Sequence, residues 1–387
     1  MPDPTPASVP DAPAAAPTVL AAPSAPAPPT PALPEPLARV VADAVARRDA
    51  RRFGEAILPA VSRTFAIGIR ALPGDLGRAV LVAYLICRIA DTVEDAPGVD
   101  PAHKGALLDA LLDCFDGAAT ADAYPARCAA VTGEPAHLAL VRHADLVFAE
   151  LATLPPNTRA IVRRWVTEMA MGMKKFVFLY PGGIRIQTVE EFREYCYYVA
   201  GTVGYLLTDL WHEHSPAVGR ARYERLRETC RAFGEALQTV NILKDVAHDA
   251  RVENSIYVPE QLLREHGSSQ AALLASERIA ESRRALERLI QLAWADLDDA
   301  RRYLLALPRR AVRIRLFCIL PLLYAYATLR DLAQTTAMLR PGGSVKISRA
   351  EVKALLTAGS LLVMSNGAVR WLVERVRRRE FRLAWGG

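Results

Sequence analysis

The sequence predicts an all-α chain: one large helical domain behind an irregular N-terminal segment. Three observations predict it. From residue 37 onward, apolar residues recur three and four apart in segments rich in Ala, Leu, Arg and Glu, the period of helices with one buried face. No run alternates apolar and polar residues long enough for a half-buried strand. Clusters of Pro, Gly and Asp interrupt the pattern at helix-length intervals: "LPGD" at 72–75, "DAPGVDP" at 95–101, "LPPN" at 154–157 and "YPGG" at 180–183.

Residues 1–36 are almost all Pro, Ala, Ser and Thr. Such a segment cannot bury a core and is expected to be a disordered tail. It lacks the basic start and continuous apolar stretch of a signal peptide. Helices are then expected over 38–50, 55–69, 74–92, 102–115, 135–151, 156–178, 188–212, 219–249, 271–304, 310–332 and 349–378. The domain should run over 37–378, with 379–387 as a basic, aromatic tail. The uncharged run "ALLTAGSLLVMSNGAV" (354–369) falls short of the ~20 residues needed to cross a bilayer. It reads as a buried helix.

The chain has 387 residues, 51% of them hydrophobic, ample for a large core. Its net charge of +6 is compatible with anionic substrates or acidic lipid and diagnostic of neither. Six scattered cysteines form no CxxC pair and sit in apolar helical contexts, so they read as reduced core residues of a cytosolic protein. No Gly-rich nucleotide fingerprint follows a strand. No nucleic-acid module accompanies the basic charge, so a nucleic-acid partner is not expected.

The chemistry is carried by acids. "RIADTVEDAP" (88–97) places Asp91, Glu94 and Asp95 behind the apolar "AVLVAYLI". On a helix Tyr84, Arg88, Asp91 and Asp95 share one face. Like charges a turn apart cost about 0.2–0.5 kcal/mol, a cost that a divalent cation reverses. Hard carboxylate oxygens suit Mg²⁺, which keeps waters and takes further ligands from substrate phosphates. Alone, the motif reads equally as a charged helix end. A second face changes the balance. In "LQTVNILKDVAHDA" (237–250), Gln238, Asn241, Asp245 and Asp249 again follow spacings of 3, 4 and 4. Two such helices facing each other across a cavity converge four aspartates, an arrangement suited to Mg²⁺ bridging a diphosphate. A di-iron bundle would need two Glu-x-x-His pairs. The only such spacing is "EPAH" at 134–137, and "HEH" at 212–214 reads as a solvated helix end.

These residues resemble the squalene/phytoene synthase family of head-to-head prenyltransferases, over nearly everything after residue 50. "SRTFAIGIRALP" (62–73) resembles the family's flap sequence, "YLICRIADTVED" (84–95) its first aspartate-rich motif, "YCYYVAGTVGYLL" (195–207) its most characteristic helix, and "NILKDVAHD" (241–249) its second aspartate-rich motif. Three further stretches resemble the family's squalene synthases more than its phytoene synthases: "EMAMGMKKF" (168–176), "FCILPLLYAYATL" (317–329) and "VKISR" (345–349). The departures are Lys244 where Arg is usual, His248 where Glu is usual, Ser255 in the place of an arginine in a Gly-Arg-x-aromatic sequence, and Ser348 in the place of another.

The resemblance implies a helical isoprenoid-synthase fold around a central cavity. It implies Mg²⁺ held by Asp91, Glu94 and Asp95 on one side and by Asn241, Asp245 and Asp249 on the other. Ser62, Arg63, Phe65, Tyr84, Arg88, Val199, Gly201, Gln238, Asn241, Phe317 and Pro321 are the implied substrate contacts. Tyr195 is implied in proton removal, with the four aspartates as its catalytic partners. Lys346 and Arg349 are the implied contacts to NADPH. The implied activity joins two farnesyl diphosphates through presqualene diphosphate to squalene. Dehydrosqualene, phytoene or presqualene diphosphate formation without reduction stays open, as does a non-catalytic prenyl-diphosphate-binding role. The final segment, from Arg370, mixes Arg with Trp371, Phe381 and Trp385. That composition suits peripheral contact with an anionic membrane. It suits a solvated helix end equally.

Overall fold

Helix starts are set by short polar side chains. Asp49, Asp100, Thr188, Ser348 and Ser365 each accept a bond from the backbone N–H three residues on. Each thereby satisfies a donor that no helical carbonyl can reach. Pro sits in the first turn of four helices, where its missing N–H costs nothing.

A computed structural model describes residues 33–62 and 64–382. Its helices in order are α1 (Glu35–Ala46), α2 (Ala50–Val61), α3 (Phe65–Ala71), α4 (Gly74–Glu94), α5 (Pro101–Asp113), α6 (Ala118–Arg127), α7 (Pro135–Arg142), α8 (Ala144–Ala152), α9 (Pro156–Leu179), α10 (Val189–Cys196), α11 (Thr202–His214), α12 (Arg220–Arg227), α13 (Cys230–Arg251), α14 (Glu260–Glu265), α15 (Ile279–Ala306), α16 (Val312–Leu332), α17 (Arg349–Leu362) and α18 (Asn366–Arg378). A π-helical segment, Tyr197–Gly201, joins α10 to α11. Among the described residues the strand-like pairing is one isolated parallel bridge, Arg185 with Ile256.

The all-α expectation holds, with local corrections. The helix expected over 55–69 breaks at 62–64, where Ser62 Oγ accepts the Phe65 N–H at 3.1 Å and starts α3. The ones expected over 135–151 and 219–249 are each two helices, and the one over 188–212 contains the π segment. Helices α6 and α14 were not expected. The run 354–369 is not one buried helix: α17 ends at Leu362, Ser365 caps α18, and Leu361 and Met364 are exposed. The buried Arg315 guanidinium holds that break, donating to the carbonyls of Val363, Leu304 and Leu307 and to Asn366 Oδ1 at 2.8–3.0 Å. Glu35 opens the first helix, so the domain begins slightly before residue 37. The rest of the tail expectation, over residues 1–32, lies outside the described residues.

The core runs through α16, which packs on α3, α13, α15, α17 and α18. Helix α16 is long and apolar enough to cross a membrane by length and composition, but 78% of its apolar window is buried within the fold. The Arg330–Glu351 pair, at 2.8 Å and almost wholly buried, ties it to α17. Glu351 also accepts the Phe381 N–H at 2.8 Å, so residues expected in a C-terminal tail are fastened to the domain. All six cysteines are buried and free.

Candidate active site

Around the core, α3, α4, α9, α11, α13 and α16 and the π segment line a cavity of about 180 Å³. Two close approaches shape its wall. A Cβ on Gly204 would stand 1.9 Å from the Cys230 carbonyl oxygen, and one on Gly234 2.0 Å from that of Ala200. Only glycine lets α11 and the π segment lie this near α13. Most of the lining is apolar, including Phe65, Ile69, Met169, Val203, Phe233 and Phe317. Polar groups also line it: Arg88 and Asp91 from α4, Gln238 and Asn241 from α13. The cavity is thus amphipathic.

Beyond the cavity, the end of α4 meets the end of α13. Asp245, Asp249, Asp95 and Glu253 act on one another electrostatically across this junction. Burial, then the charges of Glu253, Asp245 and Asp95, pushes Asp249 up to about 8. Crowding by protein atoms, then Glu253 and Asp91, pushes Asp95 up to about 7. Asp95 itself opens to solvent, which weakens both effects. Burial, then Asp95 and Asp91, raises Glu94 well above the usual carboxylate range. Burial raises Asp91 as well, against the opposing pull of Arg88 3.3 Å away.

The structure brings most of the expected residues together. Phe65, Tyr84, Arg88, Asp91, Val199, Gln238, Asn241 and Phe317 line the cavity. Tyr84 donates to the Val61 carbonyl at 3.0 Å and accepts from Arg88 at 3.3 Å. Lys244 pairs with Asp245 at 3.0 Å and donates to Asn241 Oδ1 at 3.5 Å. Tyr195 is buried, edge-on to Phe176, its hydroxyl 3.4 Å from that of Tyr257. Burial and then the Glu94 charge raise it well above the ordinary tyrosine range.

Others stand apart. Gly201 faces Tyr197, Arg231 and Glu235, away from the cavity lining, and Pro321 is buried one turn beyond Phe317. Ser62 is occupied as the start of α3. Lys346 and Arg349 are exposed near the start of α17 and do not line the cavity. Ser348 caps that helix and donates to Glu380 at 3.0 Å. Arg63 and Trp385 lie outside the described residues. In "HEH", His214 Nε2 meets Thr158 Oγ1 at 2.9 Å and His212 stacks on Tyr223, structural roles both.

Sequence reasoning missed Glu253 and Lys104. Both line a second, polar chamber of about 70 Å³ beside Glu94 and Asp95. Glu253 continues the 245, 249 spacing by four, but α13 ends before it, so helical spacing alone does not place it. Lys104, which donates to the Glu94 carbonyl, carried no such signal.

Among the described residues, no three His, Cys, Asp or Glu side chains stand close enough together to hold a metal ion as they are placed. The donor chemistry nevertheless fits a hard divalent cation: the set is all oxygen, its carboxyls repel one another, and buried Glu94 Oε1 has no hydrogen-bond partner. For a dinucleotide the fit is limited to charge, two cations near a helix start.

A helical shell around an amphipathic cavity, with two aspartate-bearing helix ends meeting beyond it, defines a prenyl-transferase type of architecture. The sequence profile of the squalene/phytoene synthase family matches residues 58–351, and the chain belongs to that family. It is similar to the squalene synthase of Schizosaccharomyces pombe, 28% identical over 310 residues covering 75% of this chain and 63% of that protein. It is also similar to that of Rattus norvegicus, 25% identical, covering 83% and 73%. The chain thus spans less than two thirds of the S. pombe protein's length. The TcSQS complex with the ligand E5700 shares its fold, with a TM-score of 0.72 at 22% identity over 86% of this chain and 98% of that one.

Proposed function

We propose that the chain condenses two farnesyl diphosphates head to head with Mg²⁺, and carries the resulting presqualene diphosphate on to squalene with NADPH. The observation that carries this reading is the cavity's division into an apolar wall and a polar group of Arg88, Asp91, Gln238 and Asn241. A long hydrocarbon bearing a diphosphate has that polarity. The squalene synthase relatives support the product class.

Asp91, Glu94 and Asp95 on one side and Asn241, Asp245 and Asp249 on the other are the proposed Mg²⁺ ligands. Bound Mg²⁺ supplies Lewis-acid stabilisation of the departing diphosphate's charge. Arg88, whose buried Nε has no partner, is placed to bind a phosphate oxygen. The apolar wall excludes water from a carbocation, and the rings of Phe65, Phe233 and Phe317 offer it π faces. Tyr195 stays protonated near pH 7. Its role in proton removal is therefore to orient the accepting oxygen through its hydroxyl, with the proton going to the released diphosphate. Lys346 and Arg349 have no ion-pair partner among the described residues and are the proposed contacts to the NADPH phosphates. NADPH when bound supplies a hydride. We place the chain in the cytosol, with the exposed Trp371 and its neighbour Arg370 as a peripheral contact to anionic lipid.

A second reading, dehydrosqualene formation without reduction, draws on Ser348. In place of an arginine it caps α17 and donates to Glu380. Product analysis separates the two. With NADPH the wild type releases squalene, and Lys346→Ala accumulates presqualene diphosphate at little changed farnesyl diphosphate consumption. The same hydrocarbon with and without NADPH rules out the reductive reading.

A further inference from the structure

Resting on the diphosphate reading above, we infer that Glu253 is a further ligand for the divalent cation, acting with Glu94 and Asp95 from the polar chamber rather than from the apolar cavity. The chamber is lined by Glu94, Asp95, Lys104, Glu253 and Ser255, among others. Three carboxylates face one ammonium there. Glu94 is only 6% exposed, and its Oε1 has no partner. A buried carboxyl oxygen without a partner is costly, and a cation in this chamber satisfies it.

Glu253 is held in place by a built loop. Asn254 takes a left-handed backbone, φ 50°. Arg185 donates to the Asn254 carbonyl at 2.5 Å and to its Oδ1 at 2.7 Å. The Ser255 N–H donates to the Asp249 carbonyl at 2.9 Å, and Ser255 Oγ accepts the Ile184 N–H at 3.3 Å. These bonds fold the chain back directly after α13 and bring Glu253 into the chamber wall with Glu94 and Asp95. His248 Nε2 lies 3.9 Å from Glu253 and is largely exposed.

The test is titration of the full chain with Mn²⁺ alone, followed by electron paramagnetic resonance, on the wild type, Glu253→Gln and Glu253→Asp. Loss of the carboxylate weakens Mn²⁺ binding by about tenfold or more, while the aspartate variant stays close to wild type. Gln keeps the side chain's size, and melting temperatures confirm that all three proteins are folded. Equal Mn²⁺ affinity in wild type and Glu253→Gln overturns the inference, as does a wild type that binds no Mn²⁺ at millimolar concentration. Because no prenyl diphosphate is present, a wild type that binds Mn²⁺ but never consumes farnesyl diphosphate fails the functional reading and leaves the ligand assignment standing.

Discussion

Asp249→Asn should stabilise the chain in the absence of divalent cations. Asp249 is 8% exposed, and its side chain has no hydrogen bond among the described residues. The substitution therefore removes repulsion and breaks nothing. The carboxyl is raised from 3.8 to about 8 by burial and by Glu253, Asp245 and Asp95. In the unfolded chain it ionises near its ordinary value, so the folded state binds the extra proton. Stability from this group is complete below about pH 4 and is lost as pH rises towards 8. Each decade of proton affinity is about 1.4 kcal/mol, and pH 7 lies roughly three decades above the ordinary value, which gives about 4 kcal/mol. Neighbouring carboxyls relax when one charge goes, so about 2–4 kcal/mol is the expected gain. For a domain of this length that is a rise of about 3–6 °C in melting temperature. Scanning calorimetry in EDTA at pH 5 and pH 8 reads it. The variant should melt above wild type at pH 8, with a smaller gap at pH 5. An unchanged or lower melting temperature at pH 8, or a gap independent of pH, refutes the reasoning.

Gly234→Ala should lower stability by more than about 2 kcal/mol, because its Cβ has no room against the Ala200 carbonyl and α13 must move off the π segment; denaturant unfolding measures it. Glu351→Ala should cost about 3–5 kcal/mol by leaving Arg330 buried without its main counter-charge, read as a lower urea midpoint at unchanged slope.

Much of the fold was legible because helical period and Pro/Gly punctuation are local. Both aspartate faces were legible for the same reason: i, i+4 spacing is a property of one helix, and the structure lines the cavity with Asp91 from one and Asn241 from the other. What was hidden depends on contacts distant in sequence. The break after Leu362 is held by Arg315, some fifty residues earlier. The π segment satisfies the same apolar pattern as an α-helix, so "YYVAG" gave no sign of it. Glu253 joins the acids only because Arg185 and Ile184, about seventy residues before it, fold its loop back. The side each glycine faces also depends on distant residues: Gly204 meets the Cys230 carbonyl, while Gly201 turns towards Arg231.

Consumption of farnesyl diphosphate under Mg²⁺ by wild type, Asp91→Asn and Asp245→Asn tests the central claim most directly, since it asks whether both helix ends serve one diphosphate site. The wild type should consume the substrate only when Mg²⁺ is present. Each variant should lose at least about a hundredfold in turnover while its circular dichroism stays helical. Near wild-type turnover in either variant, or a wild type inert towards farnesyl diphosphate with Mg²⁺, contradicts the account.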